Sequence, residues 1–188
     1  MLTSMALPLS PRRVTFVGIA VIVIVLLAWM VASYNSLVTR DQAVSAQWAQ
    51  VENRYQLKID LIPQLVSVAR QYTQFERSTL ENITRLRSQW QNATTIDQRI
   101  NTSMALDQNF FAIRVTYERY PELQSIQLVQ SLMFSIESVE TQIATERMRY
   151  NEAVRVYNTK VQTFPDLVWA GAFGFHVRTY YDPIPGGP

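Results

Sequence analysis

The longest apolar run in the chain lies near its N-terminus. Val14 to Ser33 covers 20 positions without a charged side chain. At about 1.5 Å of rise per residue, a helix of that length matches the roughly 30 Å hydrocarbon core of a bilayer. Trp29 and Tyr34 stand at its far end, where amphipathic rings favour the membrane–water interface. The pattern predicts an uncleaved single transmembrane helix over 14–33, preceded by a short N-terminal segment, 1–13.

After this run, apolar residues recur at alternating steps of four and three, the spacing of helices that pack lengthwise. One series is apolar at 11 of 14 positions and a second series at 10 of 12. The first series is Val44, Trp48, Val51, Tyr55, Lys58, Ile62, Leu65, Ala69, Tyr72, Glu76, Thr79, Ile83, Leu86 and Trp90. The second series is Ile126, Val129, Met133, Ile136, Glu140, Ile143, Arg147, Tyr150, Val154, Tyr157, Val161 and Phe164. Both indicate long helices that bury one seam against their neighbours.

A shorter amphipathic helix is predicted between the two series, from Asp97 to Arg119. Thr95 or Asp97 would cap its start, and Pro121 marks the next connection. Short connections make consecutive helices antiparallel neighbours. The predicted fold is therefore all-α, with an antiparallel up-and-down helical bundle over 34–163 after the transmembrane helix.

Pro63 leaves the number of bundle helices open. If Asp60 caps a new helix, Pro63 lies in its first turn, where the missing N–H is tolerated. The chain then reverses there and the bundle has four helices. If one long helix kinks at Pro63, which the unbroken seam allows, the bundle has three.

The excess positive charge of the chain lies at one place only. The chain has 17 Lys+Arg and 15 Asp+Glu, and the excess of two is the pair Arg12 and Arg13 before the apolar run. The body is electroneutral, which argues against a nucleic-acid partner because such a face needs unneutralised cations. By the positive-inside rule, the arginine pair favours a cytoplasmic N-terminus and an extracytoplasmic body, with the opposite orientation still open.

The composition also excludes several kinds of chemistry. The chain has no cysteine, and its one histidine is His176, so thiol catalysis and the usual zinc sites are excluded. The 152 residues between Gly18 and Gly171 contain no glycine, which excludes phosphate-binding loops and nucleophile elbows there. We therefore expect no catalytic residue, no metal, no cofactor and no small-molecule substrate.

Four charged residues interrupt the two apolar seams. They are Lys58, Glu76, Glu140 and Arg147. Buried carboxylates could act as acid–base groups with shifted pKa values. The favoured interpretation is structural, in which these residues pair across helices and fix their register.

Two further sets of residues are candidates for contact with a partner or the membrane. The first set is a repeated Tyr-Asn dipeptide seven residues apart, for which hydrogen bonding within the bundle is the favoured alternative. The second is the aromatic stretch that opens the tail, 164–188, which is too short to span a membrane. We expect this stretch to cover the open end of the bundle, or else to lie on the membrane or a partner. The candidate residues are Tyr150, Asn151, Tyr157, Asn158, Phe164, Trp169, Phe173 and Phe175.

Several of these segments together resemble the LemA family, in order and spacing, from about Tyr34 to Tyr181. The segments are Tyr34-Asn35-x-Leu37-Val38, Trp48, Asp60-Leu61-Ile62-Pro63-Gln64-Leu65-Val66, Tyr120-Pro121-Glu122-Leu123, Glu140-x-x-Ile143-Ala144, Arg147, Tyr150-Asn151-Glu152-Ala153-Val154, Tyr157-Asn158, Phe164-Pro165 and Gly174-Phe175. The resemblance implies a bacterial, membrane-anchored four-helix bundle, which favours a turn near Asp60, and a family whose molecular function is unsettled. It also implies an N-terminus outside the cell, against the charge argument.

The expected function is that of a non-enzymatic scaffold or interaction module in a bacterial membrane. Its partners would be the lipid bilayer, through 14–33, and either another protein or a second copy of the chain. One alternative is a signalling adaptor that passes an extracytoplasmic stimulus to other membrane proteins. A further alternative is an enzyme that uses carboxylates of the bundle core. An enzyme would lose activity but not stability when Glu140 or Arg147 is neutralised, whereas a scaffold would lose stability or assembly.

Overall fold

The computed structural model describes residues 11–72 and 75–181. Helices follow one another along this part of the chain, and no strand occurs in it. Their bounds are α1 (Pro11–Ala69), α2 (Arg77–Asn92), α3 (Ile96–Arg119), α4 (Pro121–Gln124), α5 (Gln127–Gln162) and α6 (Leu167–Ala170). The all-α prediction is confirmed. Most of the predicted N-terminal segment and the end of the tail, 182–188, lie outside the described residues.

Helix α1 is 59 residues long and passes through Pro63 without ending. The chain reversal expected near Asp60 is therefore wrong. The physical reason is burial, because Ile62, Leu65 and Ala69 continue the seam and are each 1% exposed. Continuing the helix through Pro63 keeps these side chains on the buried seam. The break between the first two helices falls instead after Ala69.

The described chain divides into two compact units, residues 11–42 with 157–177 and residues 43–156 with 178–181. In the second unit, parts of four long helices alternate in direction. Trp48 contacts Tyr150 and Lys58 contacts Glu140, so α1 and α5 run antiparallel there. A three-residue connection makes α2 and α3 antiparallel neighbours. This is the up-and-down order with four helices.

The core of the second unit is formed by the predicted seams. Aromatic rings contribute much of it, and Tyr55 packs against Trp90 with ring centroids 4.9 Å apart. Most seam positions are buried. The exceptions are the positions just after the break at Ala69, the charged Glu140 and Arg147, and the two ends of the second series, Ile126 and Phe164. Buried apolar residues that line this core include Val44, Trp48, Val51, Ile62, Ile83, Leu86, Ile100, Leu106, Phe110, Ile113, Val129, Met133, Ile136, Ile143 and Tyr150.

Helix α3 begins at a complete capping box. The Thr95 hydroxyl accepts a hydrogen bond from the Gln98 N–H at 3.2 Å, and Gln98 Oε1 accepts from the Thr95 N–H at 3.4 Å. This arrangement satisfies two backbone donors that the helix itself leaves free. The prediction of Thr95 as the cap is confirmed.

The first unit contains the apolar run and the start of the tail. Among the described residues, α1 is the one helix long and apolar enough to cross a membrane, by length and composition. Its side chains from 12 to 28 are exposed on every face. Beyond that stretch Ser33 and Leu37 are buried, at 3% and 0% exposure, together with Tyr157, Val161 and Ala170. The tail therefore packs on the end of the run.

Candidate functional site

Lys58 lies at the centre of a charged network in the second unit. Its side chain is 1% exposed, and its Nζ donates to Asp107 Oδ1 and to Glu140 Oε1, each at 2.8 Å. The ammonium also lies 4.3 Å from the centroid of the Phe110 ring. Lys58 belongs to α1, Asp107 to α3 and Glu140 to α5. One buried cation thus joins three helices.

The second oxygen of Asp107 is also occupied. Its Oδ2 accepts from the Tyr55 hydroxyl at 2.8 Å and from Nη2 of Arg147. The Tyr55 hydroxyl lies 2.8 Å from the hydroxyl of Tyr181, which in turn lies 2.5 Å from Ser103 Oγ. The carboxylate is therefore the meeting point of two cations and a chain of hydroxyl groups.

Burial sets the protonation behaviour of these groups. It raises the pKa of Asp107, and the Lys58 ammonium opposes that rise without cancelling it. Burial lowers the pKa of the Arg147 guanidinium, while the Tyr181 hydroxyl raises it in part. The Arg147 guanidinium lies 4.2 Å from the centroid of the Tyr181 ring. Burial also raises the pKa of Tyr181, so this phenol stays neutral beside the cation.

A cleft of about 250 Å³ opens beside the network. Arg114 stands at its rim, 42% exposed, with Nη1 3.6 Å from Glu140 Oε2. The residues that line the cleft are Lys58, Asp107, Phe111, Arg114, Glu140, Ile143 and Arg147. Three cations face two carboxylates here. The Lys58 ammonium occupies the position between the carboxylates that a metal cation would need, and the described residues contain no group of three metal-ligating side chains.

The first Tyr-Asn dipeptide holds the end of the described tail. The Tyr150 hydroxyl donates to the carbonyl of Thr179 at 2.8 Å. Asn151 forms two hydrogen bonds with the backbone of Tyr181, donating at 2.8 Å and accepting at 2.7 Å. Burial raises the pKa of Tyr150 to about 12. These side chains are thus engaged by the chain itself, in a segment about 30 residues further on.

The second dipeptide and the aromatic stretch meet in the first unit. Tyr157 is 1% exposed and its hydroxyl donates to the carbonyl of His176 at 3.0 Å, while the side chain of Asn158 is also buried. The stretch packs against α1 in this unit. Its contacts are Trp169 with Trp29 at a centroid distance of 6.4 Å, Phe173 with Tyr34 at 5.2 Å and Phe175 with Tyr34 at 5.7 Å.

Phe164 differs from the other aromatic residues of the stretch because its side chain is 77% exposed.

Gly174 explains how the two rings on either side of it reach Tyr34. Its φ of 77° lies in the left-handed region that glycine adopts readily, and the turn brings the Phe175 N–H to the carbonyl of Ala170 at 2.9 Å.

Comparison with known proteins identifies the family. The model of the LemA family matches residues 47–185, most of the chain. The chain belongs to the LemA family. It is also similar to Magnetosome protein MamQ 1 and Magnetosome protein MamQ 2 of Paramagnetospirillum magneticum. Each is 22% identical over 191 residues, which cover 88% of this chain and 70% of the relative.

In this LemA family chain, three of the four seam charges meet in the network. Lys58 and Glu140 pair directly, and Arg147 joins them through Asp107. Glu76 does not take part. It lies at the N-cap position of α2 and is exposed, and its side chain forms no capping hydrogen bond.

The network also contains Asp107, Arg114 and Tyr181, which were not predicted from the sequence. Asp107 follows the buried Leu106 on α3, one position away from the apolar stripe, and it is half-buried. One signal was present in the sequence. A lysine on an apolar seam requires an acid on a facing helix, and Asp107 is the only acid within the middle turns of α3.

Proposed function

We propose that this LemA family protein is a single-pass, membrane-anchored scaffold in a bacterial membrane, and that it is not an enzyme. Its body would bind another protein or a second copy of the chain. The observation that carries the proposal is the pairing within the charged network. Its groups bind one another and do not direct a reactive atom at a substrate.

The contacts of Asp107 and Glu140 support the non-enzymatic part of the proposal. A general base needs a free lone pair directed at the substrate. Both oxygens of Asp107 accept hydrogen bonds from within the chain, and Glu140 faces Lys58 and Arg114. Such a network fixes the register of helices and leaves little capacity for proton transfer.

The apolar run supports the anchor. Over 14–28 the helix carries no charged side chain, and its side chains are exposed on every face, which suits contact with lipid. The arginine pair before the run favours an N-terminus in the cytoplasm and a body outside it.

Two exposed side chains on α5 indicate where a partner would bind. Phe134 is 73% exposed and Met148 is 67% exposed, and they lie 14 residues apart, which places them on one face of the helix. The buried seam residues Ile136 and Ile143 lie on the opposite face. Large exposed apolar side chains along one helix suit the packing of a second helix.

Photo-crosslinking tests this proposal in the native membrane. A photoreactive amino acid replaces Phe134 or Met148, and a matched variant carries it at Gln91, an exposed polar position on α2. We expect crosslinked products at Phe134 and Met148 and none at Gln91. A product with twice the mass of the chain identifies self-association, and a product with another protein identifies a partner. No product at either apolar position would contradict the proposal.

A further inference from the structure

The start of the tail carries a cluster of exposed apolar side chains directly beside the apolar run. Leu167 and Val168 are 55% and 56% exposed, and Phe164 is 77% exposed. Leu167 and Val168 begin α6 and Phe164 precedes it, in the same unit as the first part of α1. In water, an apolar cluster of this kind would be unfavourable unless something covers it.

Two contacts fix the level of this cluster along α1. Trp169 packs edge-on against Trp29, and Ser33 donates a hydrogen bond to Oδ1 of Asp166. Trp29 precedes Ser33 by four residues, which corresponds to about 6 Å along a helix axis. If Ser33 marks the end of the hydrocarbon core, the residues around Trp169 lie at the depth that interfacial helices reach, roughly 5–10 Å.

The charged groups near this cluster lie at the level of Ser33 or beyond it toward the body. Lys160 Nζ is 2.7 Å from Oδ2 of Asp166, whose side chain is 8% exposed. Arg40 lies seven residues beyond Ser33, also on the body side of the run. Cations above an apolar cluster match the order of phosphate groups above acyl chains in a membrane.

We propose that residues 164–170 form a second membrane contact, an interfacial wedge that inserts Phe164, Leu167 and Val168 among the lipids beside the transmembrane helix. The occupant of this surface is the headgroup–acyl boundary of the same bilayer. The wedge rests on the proposed anchor, because its depth is defined by the position of α1 in the membrane. Asp166 holds the wedge against Ser33.

Spin labels test the wedge in the full chain, which contains no native cysteine. Single cysteines replace Leu167, Leu128 or Val21, and the labelled proteins are reconstituted in vesicles of phosphatidylcholine and phosphatidylglycerol. Leu128 is the matched control, an exposed leucine of the second unit at 57% exposure. Val21 lies in the middle of the apolar run. Collision with dissolved oxygen reports lipid, and collision with an aqueous nickel complex reports water.

We expect the label at Leu167 to collide with oxygen and to lose collision with the nickel complex, as at Val21, while Leu128 stays accessible to nickel. Nickel access at Leu167 together with a lipid signal at Val21 would overturn the wedge and leave the anchor intact. Loss of both collisions at Leu167 would show a protein contact instead and would also overturn it. Nickel access at Val21 would overturn the anchor itself.

Discussion

Lys58 is the residue on which the charged network depends. An ammonium removed from water loses several kcal/mol of hydration, roughly, and it is tolerated only where anions replace the lost water. Asp107 and Glu140 supply that replacement, and their side chains are 28% and 30% exposed. The exposed parts of the carboxylates keep some hydration of their own. This hydration reduces the loss in the free energy of unfolding when the lysine is removed.

Replacing Lys58 with methionine should lower the free energy of unfolding by about 2–3 kcal/mol, because two partly buried carboxylates lose their shared cation. The matched control is Arg85→Met, at an exposed position on α2, which should change it by less than about 0.5 kcal/mol. Urea unfolding followed by circular dichroism measures both. Equal stability of K58M and the parent chain would contradict the structural role of the network.

The same variant should respond to pH in a defined direction. Burial holds the pKa of Asp107 above its ordinary value of 3.8, so the folded state binds this proton more readily than the unfolded state. Its contribution to stability is therefore complete below that value and declines as pH rises through the folded pKa. Lys58 is the strongest influence that lowers this pKa, so its loss raises the pKa further and makes the total decline larger. The destabilisation of K58M should be smaller at about pH 4 than at about pH 7. In the background of Asp107→Asn, the destabilisation caused by K58M should differ less between the two pH values.

The sequence located part of this network because charges on an apolar seam stand out against heptad spacing. Lys58, Glu140 and Arg147 are such interruptions. Asp107 does not interrupt a seam, since it lies beside the apolar stripe of its helix. Acids are common on solvated faces, so this position does not stand out. Its role depends on how α3 is rotated toward α1, and that rotation comes from the packing of all the helices together.

At the scale of the element, α1 shows how a seam can override a helix breaker. Pro63 lacks the N–H that would bond to the carbonyl of Ile59, and this absence destabilises a helix interior. The buried side chains on both sides of it, Ile59 and Ile62, are 0% and 1% exposed. Burial of the continuing seam compensates for the lost hydrogen bond.

Replacing Pro63 with alanine should therefore stabilise the protein by about 1–3 kcal/mol, because a backbone hydrogen bond and the normal helix geometry are restored. The control is Gln64→Ala, at the exposed neighbouring position, which should have little effect. Thermal unfolding of the two variants measures the difference. If P63A gave no gain in stability, the missing N–H of Pro63 would not destabilise α1, and the account of burial overriding a helix breaker would be contradicted.

The elements differ in how well the sequence predicts them. Thr95 was one of two predicted caps, because threonine and aspartate are both preferred at the start of a helix. The end of α1 was not predicted, because Tyr72 and Glu76 keep the spacing of the seam after the helix has stopped. The path of the tail could not be derived from periodicity either. Asn151 and Tyr181 are 30 residues apart, and residues 175–181 are not helical.

At the scale of the whole molecule, the position of the charges matters more than their sum. The net charge of +2 consists of Arg12 and Arg13, and the remaining 15 cations balance 15 acids. In the proposed orientation, the arginine pair would act as the topology signal for the apolar run. Family membership is established by the match over 47–185, which begins after the apolar run.

Thiol labelling in intact cells tests the central claim most directly, that α1 crosses the membrane once with the body outside. Single cysteines replace Ser4, before the run, and Gln91, an exposed residue of the body, in a chain that has no other cysteine. We predict that a membrane-impermeant maleimide labels Gln91→Cys in intact cells and labels Ser4→Cys only after lysis. Labelling of Ser4→Cys alone would reverse the orientation, and labelling of both or of neither in intact cells would contradict a single membrane crossing.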